Sequence, residues 1–166
     1  MKLPIPDWLI DAIVRRAKRR PYAHLTGYME RYWLFRTRWL ACRLHVILRS
    51  DDDRALHDHP WDYATVILRG GYTEITPNPF RLWDEPWRPI AQRRERIEPG
   101  RVLFRRVESL HRLEVPDGST CLTMFFTRPK RRTWGFQTPQ GWVSHHDYER
   151  MIAGGVIPHA RRKVAS

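Results

Sequence analysis

The chain has 166 residues, 42% of them apolar and eight of them Trp, with 30 Lys and Arg against 18 Asp and Glu for a net charge of +12. That length and composition suit one domain with a real core and exclude a disordered chain. No apolar run reaches the length of a membrane span, and Met1-Lys2 leads into Pro4, Pro6 and Asp7 rather than an apolar signal segment, so no membrane contact and a cytoplasmic location are expected.

Residues 7–20 read as a helix. Asp7 is placed to cap it, Trp8, Leu9, Ala12, Ile13 and Ala17 form an apolar stripe, and Arg15, Arg16, Lys18, Arg19 and Arg20 load its last turns before Pro21 ends it. A long alternation follows, in which Leu40, Cys42, Leu44, Val46 and Leu48 are expected to face a core. The opposite face carries Arg43, His45 and Arg49, and water is the expected surrounding for at least two of the three. Ser50–Arg54 is an acidic turn that lacks the ligand spacing of an EF-hand. Tyr63–Arg69 and Tyr72–Thr76 read as strands around the Gly70-Gly71 turn. Pro77–Arg88, with Trp83 and Trp87, reads as a long loop over a barrel mouth.

Further strands are expected at Arg94–Ile97, Val102–Val107, Leu110–Val115 and Ser119–Thr127. Cys42 and Cys121 sit in apolar runs as buried thiols, and neither belongs to a Cys-x-x-Cys pair. Beyond residue 128, Trp134, Phe136, Trp142 and Tyr148 are expected to anchor a C-terminal extension, with a short helix at Tyr148–Ala153. Adjacent His145 and His146 would point to opposite faces of a strand and are read as surface, and Ala160–Ser166 as a basic tail. The positive charge is scattered in short clusters. It admits nucleic acid as a partner, but a solvated surface is the simpler reading.

Chemistry concentrates in His57-Asp58-His59-Pro60-Trp61-Asp62-Tyr63. In a strand, residues two apart share a face, so His57 and His59 can aim two imidazoles at one point. Imidazole is the commonest side-chain metal ligand, yet the pair alone reads equally as two solvated loop histidines. His111, inside the alternating run Leu110–Val115, supplies a third imidazole.

These residues resemble the two motifs of the cupin superfamily. His57, His59 and Gly70 match the first, while Asp51 stands at its opening Gly and Tyr63 at its Glu. Gly100 and His111 match the second, with Arg106, Glu108 and Val115 at its Pro, Gly and Asn positions. Trp134-Gly135-Phe136 and Gly141-Trp142 also resemble small cupin-like proteins of phage-derived genes. The resemblance implies a mainly β fold: a double-stranded β-helix (jelly-roll) barrel over about residues 28–127, with an N-terminal helix before it and an irregular extension over 128–166, in a single domain.

The resemblance further implies a divalent metal held by His57, His59 and His111, with Fe(II) ahead of Zn(II) or Ni(II). Three histidines without the Glu resemble the cupin thiol dioxygenases. That likeness implies an iron enzyme acting on a small chelating molecule, an Arg holding a carboxylate (Arg43 or Arg49) and a catalytic tyrosine, for which Tyr63 is the candidate. A core aromatic is the plainer reading of Tyr63. Asp62 and Glu108 are not assigned as ligands. Two other functions stay open: a non-oxygenase metal cupin (isomerase, lyase or ligand-binding protein), and a basic phage accessory protein that binds nucleic acid. Homodimerisation is implied by the superfamily alone.

Overall fold

The computed structural model describes residues 2–51, 55–78, 92–139 and 141–156. Nearly all of the expected loop over Pro77–Arg88, with Trp83 and Trp87, lies outside the described residues, as do Asp52, Asp53 and the tail from Ala160. The chain runs α1 (Asp7–Lys18), β1 (Met29–Arg36), β2 (Ala41–Ile47), β3 (Leu56–His57), β4 (Tyr63–Arg69), β5 (Tyr72–Pro77), β6 (Gln92–Ile97), β7 (Val102–Arg105), β8 (Arg112–Glu114), β9 (Cys121–Thr127), β10 (Gly135–Thr138), β11 (Gly141–Ser144) and α2 (His145–Ala153). The mainly β architecture with an N-terminal helix is the one expected. Neither helix is long and apolar enough to cross a membrane.

One sheet has five antiparallel strands in the order β1-β2-β9-β4-β7. Facing it are two three-stranded sheets, β11-β10-β3 and β6-β5-β8. Among the described residues a single backbone bridge joins these two: His57 N donates to His111 O at 2.9 Å, and His111 N donates to His57 O at 2.8 Å.

The five-stranded sheet carries core residues on both faces. On its outer face α1 lays Ile10 and Ala17 against Leu34, Cys42, Leu44, Val66 and Leu68. Its inner face packs Ile47, Ile67, Leu103 and Cys121 against Tyr72, Ile97, Leu113 and Val115 at one end of the barrel. The expected core face of β2 is therefore the face under the helix, although Leu40 lies exposed at the β1–β2 turn.

Assignment of the opposite face of β2 to water needs correcting. Arg43 and His45 are only 6% and 7% exposed, because that face lines the barrel interior. Alternation marks which residues share a face but not what covers the polar one.

Smaller differences have local causes. Pro6, not Asp7, is the N-cap of α1, and the helix stops at Lys18. Asp7 and Asp11 instead bind Arg69 at 2.9 and 2.8 Å, pinning the helix to the end of β4. The helix α2 starts at His145, three residues before the expected start, because Ser144 caps it by accepting from Asp147 N. His145 and His146 thus open a helix rather than sit in a strand, and His145 stacks on Trp134 with ring centroids 4.7 Å apart. The C-terminal extension also does more than pack on the barrel: β10 pairs with β3, placing Phe136 opposite His57.

Gly70 turns β4 into β5 at φ +74°, and a Cβ there would meet Thr120 O at 2.1 Å. Leu44, fully buried between α1 and the sheet, offers a test of the outer core. Leu44→Ala is expected to lower unfolding free energy by about 2–5 kcal/mol, read from urea denaturation.

Candidate metal centre

The short strand β3 decides where the first two histidines go. His57 is held on one side by His111 and on the other by Phe136. Asp58 turns the opposite way and is 1% exposed. Its carboxylate accepts from Gly135 N and from Trp142 Nε1, each at 2.8 Å, and pairs with Arg132. With Asp58 clamped, His57 and His59 share the inner side. Asp62 faces away from the cluster, accepting from Val107 N at 3.1 Å and Arg131 at 2.8 Å.

The three rings form a near-equilateral triangle. Centroids lie 5.3 Å apart for His57–His59, 4.9 Å for His57–His111 and 5.1 Å for His59–His111. One nitrogen from each ring lies within 4.8 Å of the others, and His59 Nε2 is 2.9 Å from His111 Nε2.

His111 is oriented from behind. Its Nδ1 lies 3.0 Å from Glu74 Oε1, on β5. Glu74 is buried and also pairs with Arg105. A carboxylate on Nδ1 fixes the tautomer whose Nε2 lone pair faces the cluster. The Tyr63 hydroxyl lies 3.3 Å from the same Nε2. Asp51 holds the strand beside His57 by accepting from Leu113 N at 2.7 Å and from the Tyr28 hydroxyl.

Burial sets the charge states. It pushes His57 down to about 4, Asp51 opposing and His111 adding to the shift. Burial, then His111 and His57, hold His59 well below the ordinary imidazole value. Both rings are therefore neutral near pH 7, the form that binds a cation. Burial raises the Tyr63 phenol, which stays protonated. For Glu74 burial alone would raise the carboxyl, but His111 and Arg105 together outweigh it and keep it ionised.

A cavity of about 260 Å³ opens over the cluster. Arg43 and Tyr63 line it. The Arg43 guanidinium sits 5.0 Å from the ring centroids of both Trp33 and Trp61, and donates to Thr127 Oγ1 at 3.0 Å. Arg49, the other candidate for a carboxylate, is not among the lining residues. It donates to Gly27 O at 2.8 Å and lies over Tyr28.

The donor set fits a divalent metal ion. Two nitrogens at right angles on an ion about 2.1 Å from each would be about 3.0 Å apart, close to the 2.9 Å between His59 and His111. His57 and His59 are neutral near pH 7, and His111 is backed by a carboxylate.

Comparison with solved structures agrees on the fold. The polyketide cyclase RemF from Streptomyces resistomycificus aligns with TM-score 0.56 at 15% identity, covering 83% of this chain and 89% of that one. A cupin 2 conserved barrel domain protein from Rhodopseudomonas palustris aligns with TM-score 0.52 at 14% identity, covering 74% and 78%. This chain has the cupin fold. Hydroxypropylphosphonic acid epoxidase from S. wedmorenis shares the barrel with TM-score 0.51 at 14% identity, over 67% of this chain and 56% of its own length. The chain thus spans little more than half of that epoxidase. No protein-family model matches the sequence, nor does any curated protein.

Sequence reasoning missed Glu74, Asp58, Asp51 and Arg105 as the shell behind the histidines. Asp58 had a signal: an acid between two inward-facing histidines must point outward and needs partners there. Glu74 had none beyond its place in a β-rich run, since its partner His111 is 37 residues away.

Glu74→Gln is expected to weaken metal binding by about 10–100-fold, read by competition with a metallochromic chelator. In the metal-free protein, His45 and His57, lowered from 6.5 to about 3 and about 4, bind fewer protons folded than unfolded. Their contribution is complete above about pH 6.5 and is lost as pH falls toward 4, by up to about 1.4 kcal/mol per unit for each. Urea midpoints between pH 7.5 and 4.5 check this, and His45→Phe should flatten the slope.

Proposed function

We propose that this cupin is a metal-dependent enzyme that acts on a small anionic molecule at His57, His59 and His111, with Fe(II)-dependent, dioxygenase-like chemistry as the favoured reaction. One observation supports the reading: three imidazoles converge beside a cavity whose wall also holds a buried arginine. A three-His set adds no negative charge to a divalent cation, so the balance falls to Glu74 behind His111 and to the ligand. Glu74 is already shared with Arg105. Among the described residues no carboxylate pairs with Arg43, which leaves that charge for an anionic ligand.

When bound, a divalent ion supplies Lewis acidity and open coordination positions and, as iron(II), redox chemistry with O₂. The chain's own groups do the rest. Arg43, wedged between two indoles, holds the anion in one orientation. Tyr63 keeps its proton and sits beside His111, where its hydroxyl can donate to a substrate or leaving atom. Phe125 and Trp134 keep the site apolar on the remaining sides.

Elemental analysis of the purified full chain tests this. About one divalent ion per chain is expected, with near-complete loss in His57→Ala and His111→Ala. O₂ uptake by the iron-loaded protein with small anionic chelators, thiols included, tests the favoured reaction. Tyr63→Phe should keep its metal and lose about 10²-fold in turnover. Unchanged metal content in both histidine variants would refute the site, and stoichiometric metal without O₂ uptake would favour a non-oxygenase cupin.

A further inference from the structure

Charge that is scattered along the chain is gathered by the fold. Residues 12–50 hold ten Lys and Arg against one acid, Glu30. Seven of the ten are exposed, and they fall at the C-terminal end of α1 and in the β1–β2 hairpin. Trp33 N donates to Arg20 O at 2.8 Å, so the basic end of the helix lies along β1. The Arg36 guanidinium sits 5.7 Å from the Trp33 ring centroid. Ala41 pairs with Arg36 on one side and Thr127 on the other, so Thr37–Leu40 and the basic run that opens at Arg128 leave the sheet at the same end. In that run Arg131 and Arg132 hold Asp62 and Asp58, while Arg128 and Lys130 are exposed.

Aromatic rings stand at the same end. Phe35, Phe126 and Phe104 lie on the first, third and fifth strands of the five-stranded sheet. One ladder puts them on its outer face: Phe35 opposes Cys42, Cys42 opposes Phe126, Phe126 opposes Ala64, and Ala64 opposes Phe104. The helix covers the neighbouring ladder at Leu44 and Val66, yet Phe104 is 70% exposed and Trp39, at the hairpin tip, 65%. Phe35 and Phe126 lie 6.4 Å apart by ring centroid. The Arg38 guanidinium sits 4.2 Å from the Trp39 centroid. Large exposed rings gathered beside charge of one sign mark an interaction surface.

The chemistry of the surface narrows its partner. Four of the 30 basic residues are lysine, and the rest are arginine. A guanidinium grips phosphate with two parallel hydrogen bonds and stacks on flat π-systems, which an ammonium group does not. A second copy of the chain would bring arginine against arginine. Lipid headgroups carry phosphate but no flat ring to lie on Trp39 or Phe104. A duplex keeps its bases stacked inside. A single strand offers backbone phosphates and free base faces together, and both kinds of protein group are present to meet them.

We propose that this end of the five-stranded sheet binds single-stranded nucleic acid, with phosphates against the arginines of the helix end and hairpin and bases stacked on Trp39 and Phe104. The strands β2 and β7 are three spacings apart, about 14 Å, so the two rings would take bases from one short stretch of the strand. The surface uses none of the three histidines and goes beyond the metal-site reading.

Fluorescence anisotropy of the full chain with a labelled oligothymidylate of about 12 nucleotides tests it. The oligonucleotide is expected to bind at least about 10-fold tighter than a duplex of the same length, with affinity falling as salt rises. Trp39→Ala and Phe104→Ala remove exposed rings, so both should keep the wild-type circular dichroism spectrum and weaken binding by about 5-fold or more. Arg36→Gln and Arg38→Gln should each lower the slope of log affinity against log salt by about 0.7. Arg93→Gln, on β6 in a different sheet, should leave affinity and slope unchanged. Absence of binding, a duplex bound as tightly as the single strand, wild-type affinity in both aromatic variants, or an equal loss in Arg93→Gln would overturn the proposal. So would binding to phosphatidylserine vesicles in place of the oligonucleotide.

Discussion

One backbone pair holds both the barrel and the site together. His57 and His111 exchange N–H···O bonds at 2.9 and 2.8 Å, the only bridge between the two three-stranded sheets among the described residues. Residues opposed in an antiparallel ladder project their side chains to the same face, with Cα atoms about 5.5 Å apart in a hydrogen-bonded pair. The pairing that closes the barrel therefore makes two of the three candidate ligands neighbours. His59 joins them through the two-residue period of the chain, enforced by the buried Asp58 clamp. These bonds belong to the main chain, so replacing either imidazole removes a ligand without removing the bridge.

Electrostatics follows from the same closure. A barrel covered on one side by α1 and filled at one end by an aliphatic cluster leaves a cavity beside the histidines. Burial there strips protons from His45, His57 and His59 and keeps one on Tyr63. The acids that survive inside, Glu74 and Asp58, do so only with two or three donors each. Three imidazoles and, among the described residues, a guanidinium without a carboxylate partner are what remain to meet a ligand.

Much of this could be read from the chain. Strand alternation, the Gly70-Gly71 turn and the spacing of His57, His59 and His111 carried the barrel and the triad. What alternation could not carry was the destination of each face. Leu44 and Arg43 lie on opposite faces of β2, and both faces are buried: one under a helix from the start of the chain, the other inside the barrel. Similarly, Trp142 marked an anchor, but only the fold shows that it closes on the acid between the two histidines. Partners distant in sequence, such as Glu74 for His111, leave no periodic trace.

X-ray absorption at the edge of the bound metal tests the central claim most directly. The account predicts a first shell containing three imidazole nitrogens at about 2.0–2.2 Å, with their outer-shell multiple scattering, reduced to two in His111→Ala. A sulfur shell, or a shell of oxygens without imidazole scattering, would contradict it.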